Sequence, residues 1–251
     1  MQHTVVSQDQ WLAARKTLLA KEKAFTEARD ALSAERRDMP WVKIGKSYVF
    51  DGPQGRETLA DLFGGKSQLI VYHFMLAPGW SEGCKSCSYL ADHFDGAIPH
   101  LAQRDVTMLA VSRAPLNEIE AYKSRMGWKF KWVSSNGNDF NYDFKVSFPD
   151  DDVGKEGIYN FGTTKVYGQE MPGISVFIRN EAGEIFRTYS TYARGLDTFL
   201  TAYQYMDITP KGRDEAETPG MGWLRHHDRY DVTNFVDPWA EKPGITAPLP
   251  A

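Results

Sequence analysis

The sequence predicts an α/β fold: a central mixed sheet with flanking helices, preceded by a long N-terminal helix and followed by a C-terminal tail packed on the core. Three observations carry this. Residues 69–75 and 105–111 are apolar runs rich in β-branched and aromatic residues, as in strands buried on both faces. Each run leads through a turn into a helical stretch, which makes a right-handed βαβ unit with parallel strands. Residues 174–178 and 184–189 flank Asn180-Glu181-Ala182-Gly183 and read as an antiparallel hairpin, so the sheet is mixed.

Taken in order, residues 7–37 read as one helix. Ser7 is the N-cap, Gln10 completes a capping box, and Val6 with Trp11 suits a hydrophobic staple. Trp11, Leu18, Phe25 and Leu32 recur at a spacing of seven, with Leu12 and Leu19 beside them. This stripe is expected to pack on the core; a homodimer seam is the alternative. Residues 41–50 suggest short strands, 51–55 a turn, and 58–63 a short helix closed by Gly64-Gly65. After the second buried strand, residues 112–115 turn the chain into a helix from Pro115 to Met126 with Gly127 behind it. Residues 130–133 are a third strand.

Residues 134–168 are irregular but rich in aromatics, which predicts an ordered insertion covering part of the sheet. Asp150-Asp151-Asp152 reads as a solvated turn, since the spacing of an EF-hand is absent. Residues 195–205 form a last amphipathic helix. The tail beyond residue 207 carries Met221, Trp223, Phe235 and Trp239, hence the expectation that it packs on the body. Its His226-His227-Asp228 run reads as a surface or capping element, with a lid over the site as the alternative. The predicted organisation is an arm over 1–40, a domain over 41–207 with an insertion at about 134–172, and an extension over 208–251.

Composition narrows the function. A net charge of −4 without a basic run disfavours nucleic acid and anionic membranes as partners. No apolar run approaches the roughly 18 residues that would span a bilayer. The start, MQHTVVSQDQW, lacks a basic segment followed by an apolar core, so a cytoplasmic location is expected.

The only two cysteines, Cys84 and Cys87, stand three apart where a buried strand turns into a helix. A thiol in a first helical turn meets free backbone N–H groups, which favour its thiolate. A second thiol at i+3 shares that face and can close a disulfide. Cys84 is therefore the expected nucleophile and Cys87 the resolving thiol. Lys85 is expected to lower the Cys84 pKa further. Arg113 follows the second strand, where reactive groups of such sheets gather, and could hold a thiolate or peroxide. No bound cofactor is implied, since a glycine-rich phosphate loop is lacking.

The segments LADLFGG, LIVYHFM, GCKSCSYLADHFDG, HLAQRDV, VSRAP, GW, FNYDF, YSTYARG and GWLRHHDRYD resemble a bacterial family of thioredoxin-like proteins described as predicted dithiol-disulfide oxidoreductases. The resemblance runs from the N-terminal helix to about Tyr230. It implies a thioredoxin-like fold and a redox-active disulfide, with a thiol, disulfide or small oxidant as substrate and a cellular dithiol as reductant. Thioredoxins place Trp directly before the first Cys and Gly-Pro between the two. Here Gly83 precedes Cys84, Lys85-Ser86 intervene, and the nearest Trp is Trp80. Pro172 is the candidate for the proline that faces the disulfide in that fold. Pro78-x-x-Ser81-x-x-Cys84 resembles the peroxiredoxin motif with the proline one residue nearer, which makes Ser81 the candidate to polarise a peroxide. Two rival readings remain. One is copper or zinc binding by Cys84 and Cys87 with His73, His93 or His227; the other is a non-catalytic interaction module.

Overall fold

A computed structural model describes residues 3–216 and 221–231 of the chain. The chain divides into two compact units, Met1–Trp41 and Val42–Ala251. The first is built on helix α1 (Gln8–Asp38). Its capping box forms as the sequence requires: the Gln10 N–H donates to Ser7 Oγ at 3.3 Å, and the Ser7 N–H donates to Gln10 Oε1 at 3.1 Å. Asp9 in the first turn and Arg36 with Arg37 in the last complement the helix dipole. No residue of α1 is buried, and Trp11, Leu18, Phe25 and Leu32 are exposed. Within its own unit the apolar stripe is not buried. Caps and propensity account for the helix without burial.

The second unit is built on one eight-stranded sheet. In chain order its elements are β1 (Val42–Lys43), β2 (Val49–Gly52), β3 (Gly55–Thr58), β4 (Gln68–His73), α2 (Lys85–Ala91), α3 (Phe94–Ala102), β5 (Val106–Ser112), α4 (Leu116–Met126), β6 (Trp132–Ser134), α5 (Phe140–Asp143), β7 (Gly173–Arg179), β8 (Ile185–Tyr192) and α6 (Thr201–Met206). The strand order is β1-β8-β7-β4-β5-β6-β2-β3. β4 pairs parallel with β5 and antiparallel with β7, placing Val71 between Leu109 and Ser175. This is a thioredoxin-like arrangement: strand, cysteine helix, parallel strand, helix, then an antiparallel hairpin on the other side of the central strand.

The continuous apolar run of β4 follows from burial on both faces. Leu69 and Val71 join one cluster with Leu109, Val133 and Phe177. Ile70 and Tyr72 face the other, with Met108, Trp132 and Ile174. The insertion is ordered, but Phe140, Phe144, Phe148 and Tyr159 all pack into the Val71 cluster. It therefore covers the sheet face away from the cysteines.

Local differences have local causes. The turn expected at 51–55 is the tip of a β2–β3 hairpin, because Gly55 adopts a φ of 119° that a side chain would disfavour. The helix expected at 195–205 is a 3-10 segment, Ala193–Phe199, followed by α6. On the Tyr72 face the core takes in Leu224 of the tail, with Met221 and Trp223 packed against it. Phe235 and Trp239 lie outside the described residues. Among the described residues no helix is long and apolar enough to cross a membrane.

A candidate dithiol site at the end of the central strand

β4 delivers the chain to Met75, and the turn that follows folds back on it: the Cys84 N–H donates to the Met75 carbonyl at 3.1 Å. This places Cys84 as the N-cap of α2 and Cys87 inside its first turn. The close return needs Gly83. A Cβ there would stand 2.5 Å from the Phe74 ring and 2.6 Å from that of Tyr122. An aromatic residue before the first cysteine, as thioredoxins have, would not fit this wall. His226 of the tail closes the outer side, its Nε2 at 2.9 Å from the Gly83 carbonyl oxygen, and is itself buried.

Both cysteines are free thiols, 4% and 1% exposed. The Cys87 thiol donates a hydrogen bond to the Cys84 sulfur. The backbone N–H groups of Cys87 and Ser86 donate as well, and the Lys85 charge adds to them. Against the cost of burial, these hold the Cys84 thiol down to about 7. Burial pushes the Cys87 thiol well up, and the neighbouring Cys84 adds to this. The two thiols are thus split into an acidic and a reluctant one, the division of labour that disulfide exchange uses.

The sulfurs open onto a cavity of about 140 Å³. Tyr72, Met75, Leu90, Met171, Leu196 and Tyr203 supply most of its apolar wall. Its charged border is tied up internally. Arg213 reaches Asp197 at 2.9 Å and Asp207 at 2.7 Å and lies 4.0 Å from the centre of the Tyr203 ring. Glu215 accepts from the Tyr203 hydroxyl and from Trp223 Nε1. Glu170 is buried, accepts from Arg113 at 2.5 Å and from Ser147 at 2.7 Å, and burial raises its carboxyl above the usual range.

Of the residues singled out in the sequence, Cys84, Cys87 and Pro172 line this cavity, while Lys85 is buried next to Cys84. There is no cis peptide bond among the described residues, so Pro172 is trans, and its carbonyl accepts from the Tyr159 hydroxyl. Ser81 and Trp80 are not part of the wall. Ser81 is exposed on the preceding turn. Arg113 does not reach the sulfurs either: Glu170 and the Tyr142 hydroxyl, at 2.6 Å, engage its guanidinium. The insertion lines the cavity through its last part, with Tyr167, Gly168, Glu170, Met171 and Pro172.

The histidines considered as metal ligands are dispersed. His73 lies on the far face between Phe140 and Phe144, bonded to Ser175 at 2.9 Å. His227 is exposed and pairs with Asp92 at 2.7 Å. Neither they nor His93 line the cavity, and no group of three potential ligands is gathered among the described residues.

Sequence reasoning passed over Tyr72, Glu170, Tyr203 and Arg213. Only Tyr72 was within its reach. It is the last residue but one of the central strand, on the same face as Ile70, and the chain runs from that end to the cysteine helix.

Fold and site together define a thioredoxin-like α/β protein with a buried dithiol at the carboxyl end of its central strand. The chain belongs to the family described as "Bacterial protein of unknown function (DUF899)", which matches residues 1–230. No curated protein matches it in sequence. Among solved structures it is similar to peroxidoxin BcpB from Mycobacterium tuberculosis, with 10% identity and a TM-score of 0.43 over 67% of this chain and 97% of that one. Peroxiredoxin Q from Xanthomonas campestris gives 14% identity and a TM-score of 0.38 over 67% and 98%. A protein described as the thiol:disulfide interchange protein DsbE, from Chlorobium tepidum, gives 12% and 0.40 over 65% and 97%. All three scores lie below 0.5, where likeness carries no inference about chemistry.

Proposed function

We propose that the chain is a dithiol oxidoreductase for a small oxidant, an alkyl hydroperoxide or a low-molecular-weight disulfide. Cys84 attacks the oxidant, Cys87 closes the Cys84–Cys87 disulfide, and an external dithiol reduces it again. The observation that carries this is a thiol lowered to about 7 that opens into a small, mostly apolar cavity beside a second thiol. A cavity of about 140 Å³ admits a molecule of a few heavy atoms. The burial of both sulfurs favours such a substrate over a folded protein's disulfide, which needs an open groove.

The reduced protein is mixed with one equivalent of tert-butyl hydroperoxide, hydrogen peroxide or a small disulfide, acid-quenched and weighed by mass spectrometry. The wild type is expected to lose two hydrogens as Cys84 and Cys87 join. Cys84→Ser should abolish oxidant consumption. Cys87→Ser should stop at a Cys84 sulfenic acid that dimedone traps when the oxidant is a peroxide, and at a Cys84 mixed disulfide when it is a small disulfide. If none of these oxidants yields the Cys84–Cys87 disulfide, the proposal fails.

A further inference from the structure

The mechanism above needs the reluctant thiol to become a nucleophile, and nothing in it so far helps Cys87 to do so. Tyr72 lines the cavity with both sulfurs and is only 1% exposed. Its ring is fixed edge-on by Phe74 and Phe94, at centroid distances of 6.0 and 5.3 Å. Its hydroxyl hydrogen-bonds to Cys87, and the Met75 N–H is the other donor to that sulfur. The charged groups bordering the cavity are engaged elsewhere: Glu170 by Arg113 and Ser147, Asp197 by Arg213 and Arg194, Glu215 by Tyr203 and Trp223. Burial pushes the Tyr72 phenol well above its ordinary value, so it stays protonated and acts as a donor.

We propose that Tyr72 is a catalytic residue of the resolving step, its hydroxyl donating to the Cys87 sulfur as that sulfur takes up negative charge. This rests on the dithiol reading. In the oxidative direction Cys84 carries a sulfenic acid or a mixed disulfide. Cys87 gives up its proton and its sulfur attacks the Cys84 sulfur. The S–S bond forms, and the leaving hydroxide or thiolate departs with the proton as water or thiol. In the reductive direction an external thiolate attacks Cys84, the Cys84–Cys87 bond breaks, and the electron pair goes to Cys87. In both directions the charge on Cys87 faces the phenol.

The test separates the two steps with methyl methanethiosulfonate, a reagent small enough for the cavity. One equivalent transfers a methylthio group to the Cys84 thiolate and releases methanesulfinate. Attack by Cys87 then expels methanethiol and leaves the intramolecular disulfide. Acid-quenched mass spectrometry follows the adduct as it forms and decays. Tyr72→Phe should leave adduct formation unchanged. It should slow adduct decay about tenfold at neutral pH, the scale of one lost hydrogen bond to a charged group, and move the half-maximal pH of decay upward. Site-specific fluorotyrosine at position 72, a stronger donor of the same shape, should speed decay and move that pH downward. Decay at the wild-type rate and pH profile in both variants would reduce Tyr72 to packing, while leaving the dithiol reading intact. A wild-type adduct that never closes would remove the resolving role of Cys87 and this proposal with it.

Discussion

Two thiols three residues apart are treated differently by their surroundings. Cys84 receives donors from the Cys87 thiol and from two backbone N–H groups; Cys87 is deeper and its neutral form is favoured. Alkylation by iodoacetamide should therefore follow a curve with its midpoint near pH 7 and label Cys84 almost exclusively, as peptide mapping would show. Preferential labelling of Cys87 would reverse the assigned roles. The greater acidity of the first thiol was legible from the motif, since the first Cys stands nearer the helix start. The positions of Ser81 and Arg113 were not. A turn residue's direction depends on the packing of Gly83 against Phe74 and Tyr122, and the choice of Glu170 as partner for Arg113 joins residues 57 apart in sequence.

At the scale of elements, β4 carries both the site and an acid-sensitive group. Tyr72 points to the cysteines, and the next residue, His73, points to the other face and is fully enclosed. Burial holds the His73 imidazole down to about 3, below the unfolded value near 6.5. Between these values the unfolded chain binds a proton that the folded chain does not. His73 thus contributes stability that is fully present above pH 6.5 and falls as the pH drops towards 3, by up to about 1.4 kcal/mol per pH unit. In denaturant titrations at several pH values, His73→Phe should flatten the slope over that window. An unchanged slope would assign the acid lability to another group. The strand itself was readable as a run buried on both faces. Its side assignment also followed from the period of two, once one residue was anchored.

At the largest scale, the described part of the C-terminal region, residues 208–216 and 221–231, packs into the second unit. Leu224 is in the core, Arg213, Glu215 and Met221 border the cavity, and His226 holds the Gly83 carbonyl. Deleting residues 208–251 should lower the thermal midpoint and expose apolar surface to a hydrophobic dye. It should also widen access to Cys84, so that bulky maleimides react faster than with the intact chain. A truncated protein with unchanged melting and unchanged maleimide reactivity would make the region a linker. The N-terminal helix is a unit by itself, with its caps and dipole-complementing charges in place.

By itself the sequence determined the local features: the capping box of α1, the double burial of β4 and β5, the hairpin around Gly183, and the pairing of Cys84 with Cys87 on one helical turn. Each depends on residues a few positions apart, within reach of helix and strand periodicity. Only the tertiary structure decided which face the aromatic insertion covers, that the Tyr72 hydroxyl reaches Cys87, and that the tail reaches Gly83 through His226. These are contacts between distant segments, fixed by how side-chain volumes fill the space on either side of one sheet, and no local pattern encodes which segment arrives there.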